Sequence, residues 1–182
     1  MKNSSPPSFP TPTHCLLRDH VFLTMVLAAS EVYKKETLGF LLGYQAGDLL
    51  LVEYAVPLQS AERGFVWAKV PEARLRRVEE LSERFSLGLH LIGDFHSHTQ
   101  LGSSLARAEP SPTDVTFMDP GRLYIILAVN EYHGKKRQAW HRKGKKLAGS
   151  LGEFAFEIGA FYCDRERHYV ELEIRCPFAQ AL

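Results

Sequence analysis

His96-Ser97-His98 and Ser111-Pro112-Thr113-Asp114 are the residues of this chain whose types and spacing point to chemistry. Side chains alternate faces along an extended strand, so two imidazoles one residue apart share a side and can reach one metal ion. A carboxylate returned by a loop, Asp114, supplies a third ligand. Two histidines and one carboxylate, with a fourth position open to water, form the ligand set of a catalytic zinc site. Each piece also has a plainer reading. His-x-His alone fits a solvated or core-edge pair. Ser111 alone fits a helix N-cap, with Pro112 at the first helical position and Asp114 in the first turn. A third piece lies far upstream: Glu36, in Glu36-Thr37-Leu38-Gly39-Phe40-Leu41-Leu42-Gly43. The order of the three pieces is more specific than any one of them.

In that order they resemble the JAMM motif of the MPN-domain (JAB) metalloproteases, the zinc-dependent deubiquitinase family. The family's Glu-x-x-Gly-x-Leu-x-Gly segment matches Glu36 to Gly43. Its Gly-x-x-His-Ser-His segment is similar to Gly93 to His98, and its Pro-Ser-x-x-Asp to Pro110 to Asp114. The resemblance runs from about Asp19 into the 140s. It implies zinc on His96, His98 and Asp114, Glu36 as general acid/base, and Ser111 as the hydrogen-bond donor to an oxyanion. It implies an α/β fold, a mixed β-sheet flanked by helices (α/β/α) in a cytidine-deaminase-like architecture. It further implies hydrolysis of a peptide or isopeptide bond after the C-terminal tail of a ubiquitin-like protein. The chain resembles the stand-alone prokaryotic members, which process ubiquitin-like or sulfur-carrier proteins. Two departures stand out. Twelve residues separate His98 from Ser111, more than the family pattern has, and Thr99 replaces the proline that often follows His-Ser-His. The extra residues, including Gly102, Ser103 and Ser104, are expected to bulge over the site mouth and shape access or act as a lid.

The chemistry accounts for each residue type. Hydrolysing an amide at neutral pH takes a nucleophile, a proton shuttle and a donor for the oxyanion. Zinc lowers the pKa of its water to about 7. Glu36 accepts the water proton and passes it to the leaving amine, which requires it near the metal but off it. An oxyanion donor such as Ser111 is worth about 100- to 1000-fold in rate. Each ligand histidine needs its second ring nitrogen held by a carbonyl or carboxylate, and Asp94 is a candidate for such support.

The elements that must position these residues follow from periodicity. Val21, Phe22, Met25, Val26, Ala29, Val32 and Tyr33 recur at helical spacing, which predicts an amphipathic helix over 19–35 with Asp19 as N-cap. Thr37 to Tyr44 and Asp48 to Val56 read as a hairpin around Gly47-Asp48, and Phe65 to Val70 as a short strand. Pro71 opens a second helix with Leu75, Val78, Leu81 and Phe85 on its apolar face. Leu87 to Phe95 reads as a central strand that delivers His96 and His98 to one side. Strict alternation puts His90, Ile92 and Asp94 on that side too, with His90 a packed core histidine rather than a ligand. Ser111 to Met118 is a short helix, Arg122 to Asn130 a second central strand, and Arg137 to Lys143 an outer strand. Phe154 to Cys163 and Tyr169 to Cys176 read as a C-terminal hairpin, or as a helix and then a strand.

Composition sets the limits. The 182 residues read as a flexible Pro/Ser-rich tail over 1–18 and a single metallopeptidase domain over 19–182. A net charge of +1 gives no global argument for nucleic acid or membrane. Cys15, Cys163 and Cys176 are odd in number and widely spaced, which excludes a Cys-x-x-Cys zinc knuckle. With no secretory layout at the N-terminus, a reducing, cytoplasmic setting is expected. Residues 135–146 hold seven Lys or Arg and no acid, so they read as a solvated edge, a grip for an acidic protein, or a nucleic-acid contact. Two readings compete with the peptidase. A non-catalytic MPN scaffold usually lacks motif residues that are present here. A zinc deaminase needs His-x-Glu and Pro-Cys-x-x-Cys, and neither occurs.

Overall fold

A computed structural model describes residues 10–59, 62–63, 68–69, 72–84, 88–134 and 138–181. The element order is β1 (His14–Leu17), α1 (Asp19–Glu31), β2 (Leu38–Ala46), β3 (Leu49–Pro57), β4 (Glu62–Arg63), β5 (Ala68–Lys69), α2 (Glu72–Arg84) and β6 (His90–Thr99). Then come α3 (Pro112–Phe117), β7 (Leu123–Glu131), β8 (His141–Lys143), β9 (Lys146–Leu151), β10 (Phe154–Cys163), β11 (Tyr169–Arg175) and α4 (Pro177–Gln180). The main sheet is mixed, in the order β11-β1-β3-β2-β6-β7-β10-β9-β8.

The α/β class and the mixed sheet are as expected, but the layering needs a correction. The sheet is not an open layer between helices. β10 pairs with β9 over its first half and with β11 over its second, and the β10–β11 pairing closes the sheet into a barrel. Helices are few. α1 lays Val21, Phe22, Met25, Val26 and Ala29 against the inner face, in one core with Leu41, Val52, Phe95, Ile125, Leu127, Ile158 and Ile174. Val78 of α2 packs on the outer face against Phe40 and Leu58, whereas Leu81 is exposed.

The expected tail over 1–18 needs a correction in its described part, residues 10–18. His14–Leu17 forms β1, parallel to both β3 and β11, with Cys15 and Leu17 buried. Four residues are too few to show a period, and both partners are distant in sequence, so the strand has no local signature. Residues 1–9 lie outside the described residues, as do Pro71, 85–87 and most of the expected 65–70 strand. α1 starts one residue earlier than an Asp19 cap requires: Arg18 is the N-cap, without a side-chain bond, and Asp19 sits in the first turn. The helix stops at Glu31, and Tyr33 packs on Phe154 from the turn beyond it.

β6 carries a correction of its own. Its pairing with β2 slips between Leu41 and Leu42, which oppose Gly93 and Leu91 and leave Ile92 as the extra residue of a bulge. Alternation therefore reverses there. Leu91 packs on the outer cluster and Ile92 on the inner core. His90 is exposed rather than packed in the core. Downstream of the bulge the alternation holds, with Phe95 inside and His96 and His98 outside.

The basic hairpin resolves into β8 and β9, and β9 was not anticipated. Trp140 is buried edge-on to Phe22 at 4.7 Å, so it is a core residue and not a displayed one. Lys143 pairs with Glu157 at 2.6 Å, and Lys146 with Glu109 at 3.1 Å and Glu157 at 3.3 Å. These pairs fit the solvated-edge reading. Residues 135–137 lie outside the described ones.

Candidate metal centre

β6 and β7 are parallel neighbours, with His96 opposite Ile126 and His98 opposite Ala128. Parallel strands cannot be joined by a hairpin; the connection must climb over one face of the sheet. Here residues 100–122 climb over the outer face, where the two histidines point, and this places α3 above them. Phe95, one residue out of phase, is buried in the inner core and anchors the strand from below. Gly39 sits opposite Phe95, and a Cβ there would lie 2.3 Å from the Phe95 ring and 2.6 Å from the Val56 carbonyl. The glycine three residues after Glu36 is thus demanded by the packing under the site.

The structure brings His96, His98 and Asp114 together, with their ligand atoms within 4.8 Å of one another. His96 Nε2 and His98 Nε2 are 3.2 Å apart, and they lie 3.4 and 3.3 Å from Asp114 Oδ1 and Oδ2. Zinc bonds of about 2.0–2.2 Å at tetrahedral angles put ligand atoms roughly 3.3–3.5 Å apart. The donor set therefore fits a zinc-sized ion in both chemistry and spacing. His98 Nδ1 lies 2.9 Å from the Arg107 carbonyl, which can only accept. That contact places a proton on Nδ1 and turns Nε2 toward the cluster.

Asp114 is held by a capping box. Its backbone N–H donates to Ser111 Oγ at 3.2 Å, and its Oδ2 accepts from the Ser111 N–H at 2.6 Å. Ser111 is therefore the N-cap of α3, and its side chain also hydrogen-bonds the Asp114 carboxylate and helps to lower it. Burial pushes the Asp114 carboxyl up, but hydrogen bonds from His96 and His98 outweigh this and hold it well below the usual carboxylate range. Burial lowers His98, yet its bonds to Asp114 and to the Arg107 carbonyl leave it raised.

Glu36 lies in the extended turn between α1 and β2, 9% exposed. Burial raises its carboxyl, with the charges of His96 and His98 opposing and that of Asp114 adding. All three cluster residues are thus within electrostatic reach of it. Its position is set by a residue whose role the sequence did not reveal. Ser97, fully buried, donates its N–H to the Thr37 carbonyl at 3.1 Å and accepts the Thr37 N–H on Oγ at 2.9 Å. The middle residue of His-Ser-His thus clamps the residue after Glu36 against β6. The one available signal was a small hydroxyl between two outward-facing residues on a buried strand. Asp94 stands behind His96 on the outer face, its carboxyl pushed up to about 6 by burial against the opposing charge of His96.

The long connection is tied down along its length. Gln100 donates its N–H to the Val129 carbonyl at 3.1 Å and accepts from the Glu131 N–H on Oε1 at 3.0 Å. Leu101 and Ser104 bridge each other around Gly102, whose φ of 57° suits glycine. Ala108 is buried, and Glu109 pairs with Lys146. Gly102, Ser103 and Ser104 form the tip of this small exposed hairpin. Among the described residues no helix is long and apolar enough to cross a membrane.

Comparison with known proteins agrees with this geometry. Residues 18–143 match the family described as prokaryotic homologs of the JAB domain. Among solved structures, the solution structure of protein DSY2949 from Desulfitobacterium hafniense matches with a TM-score of 0.58. That match covers 89% of this chain and 92% of that one at 21% identity, a level that speaks for the fold alone. No curated protein matches. With the matched family spanning more than half of the chain, including Glu36, both histidines, Ser111 and Asp114, the protein belongs to the prokaryotic JAB-domain family.

Proposed function

We propose that the chain is a zinc-dependent metallopeptidase that hydrolyses a peptide or isopeptide bond after the C-terminal tail of a ubiquitin-like or sulfur-carrier-like protein. The observation that carries this reading is the convergence of two imidazole nitrogens and a carboxylate at zinc spacing, with the buried Glu36 within electrostatic reach on a separate element. His96, His98 and Asp114 would hold the ion. The chemistry it supplies when bound is Lewis acidity, with water acidified to a pKa of about 7 and a polarised carbonyl. Glu36 takes the proton from the attacking water and returns it to the leaving amine. Its burial keeps its proton affinity above that of an ordinary glutamate, which suits a group that must both accept and donate. The Ser111 hydroxyl donates to the oxygen that gains charge, from a position set by the α3 cap. The free, buried Cys15, Cys163 and Cys176 fit a reducing, cytoplasmic setting.

The test pairs metal content with cleavage. Purified protein is expected to bind one zinc per chain and to cut linear fusions of ubiquitin-like proteins. Glu36→Gln is expected to keep the zinc and lose about 100- to 10,000-fold in rate. Stoichiometric zinc with no cleavage of any such fusion would favour a non-catalytic scaffold. Unaltered cleavage by Glu36→Gln would sink the proposed role of Glu36.

A further inference from the structure

The twelve residues between His98 and Ser111 do more than span a gap. β6 leaves the sheet after Thr99, whose in-register partner is Val129. β7 runs on through Asn130 and Glu131, and past that point no strand among the described residues pairs with its edge on the β6 side. The connection returns to that edge, and side-chain amides replace the missing ladder. Asn130 Oδ1 accepts the Ala106 N–H at 2.8 Å, and Asn130 Nδ2 donates to the Ala106 carbonyl at 3.2 Å. A primary amide that both accepts from and donates to one residue's backbone mimics a peptide group in a strand pair. The next peptide carbonyl is that of Arg107, and it lies 2.9 Å from His98 Nδ1. The Arg107 side chain is exposed and plays no part.

We propose that Asn130 is a positioning residue of the metal centre: by gripping Ala106 it holds the Arg107 carbonyl against His98 Nδ1, and so fixes the tautomer and angle of a ligand it does not touch. The proposal rests on the metal reading above. It gives part of the connection's length a role, because Ala106 and Arg107 lie among its twelve residues. Within that length, Ala106 and Arg107 form the brace behind His98. Support of this kind behind a ligand histidine is worth about 10- to 100-fold in metal affinity.

Cobalt(II) titration of the purified full chain tests this, because its visible spectrum reports both affinity and coordination geometry. Wild type is expected to take up one cobalt. Asn130→Ala is expected to bind it about 10- to 100-fold more weakly, with an altered spectrum. Asn130→Asp keeps the acceptor for the Ala106 N–H but sets an oxygen against the Ala106 carbonyl, and is expected to fall between the two. A residue that merely stabilised the fold would lower Tm and leave the cobalt affinity of the folded protein unchanged. Long-range proton–nitrogen NMR of metal-free wild type supplies a readout that needs no variant. The expected His98 carries its proton on Nδ1 in a hydrogen bond. A His98 with the proton on Nε2 would overturn the proposal. So would an affinity in either folded variant within about twofold of wild type. If wild type binds no cobalt, the metal reading falls and this inference with it. If wild type binds and the variants bind equally well, only this inference falls.

Discussion

His96 and His98 stand on β6, both paired with β7 and His96 also with β2, with Phe95 sunk in the core beneath them. Asp114 and the Arg107 carbonyl stand on the crossover, which has no ladder. Its polar tethers include a capping box, two side-chain amides and an ion pair, beside the buried Ala108 and Met118. The same cluster is thus built half from sheet and half from polar tethers. The two halves draw on different free energies. The strand half shares the apolar burial that holds the whole fold together. Around Asp114 and the Arg107 carbonyl, the crossover half rests on individual hydrogen bonds, each with a net worth of about 1 kcal/mol. Damage to the strand half should therefore appear as global unfolding. Damage to the crossover half should appear as weaker metal binding in a protein that stays folded.

The most severe way to test that contrast is Phe95→Ala. Removing a fully buried ring costs about 3–5 kcal/mol, which urea denaturation of the apoprotein will read. Whatever fraction remains folded is expected to keep its zinc affinity, because the ligand atoms point to the other face. Ser97→Ala comes next. It leaves the buried Thr37 N–H without its acceptor, at a cost of about 1–3 kcal/mol. Because the lost bond positions Glu36 and no ligand, kcat is expected to fall with KM and zinc content unchanged. Zinc loss in folded Ser97→Ala would show that the clamp serves the histidines instead.

On the crossover side, Ser111→Ala removes the acceptor that caps α3. Caps are typically worth about 1 kcal/mol, and on a helix of six residues at the protein surface the global melt should move by no more than that. Its effect on the metal should be larger in proportion, since Asp114 loses the bond that orients its backbone. A fall in zinc affinity at nearly constant Tm would sharpen the contrast with Phe95→Ala. Equal losses in both measurements would erase it.

The two halves also differed in how legible they were. From Phe95 onward, strict alternation assigned the β6 faces correctly, because nothing interrupts the ladder there. Upstream, the extra residue Ile92 reversed the faces of Leu91 and Ile92, and His90, the first residue of the strand, is exposed. A bulge is an agreement between two strands, and one strand's residues do not announce it. β1 and the closure through β10 and β11 escaped for a related reason: both are pairings between segments far apart in the chain. Asp114 and its cap were readable because Ser-Pro-x-Asp is a local signal. The brace behind His98 was not, because Asn130 lies 24 residues from Ala106, and an asparagine at a strand end reads as an ordinary turn residue.

The mildest prediction tests where the crossover half ends. Lys146 approaches Glu109, Glu157 and Glu171 at 3.1, 3.3 and 4.0 Å, and Glu109 is two residues from Ser111. If this ion pair were a tether like the others, Lys146→Ala would weaken zinc binding. We expect that it does not. Pro110 already restricts the chain between Glu109 and the cap, and Glu109 is more than half exposed. Pairs of that kind contribute about 0.2–1 kcal/mol and fade with salt. The stability change should have a defined pH dependence. Burial pushes the Glu157 carboxyl up, but Lys143 and Lys146 outweigh it and hold it below its ordinary value. A carboxyl depressed in the folded state stabilises above its unfolded pKa, and that contribution is lost as pH falls through the folded one. Lys146→Ala should therefore be less stable than wild type near neutrality and converge with it in acid, where Glu157 is protonated in both. Urea melts at the two pH values will read this. A zinc affinity that fell along with stability would extend the crossover's tethers to β9 and move the boundary between the two halves.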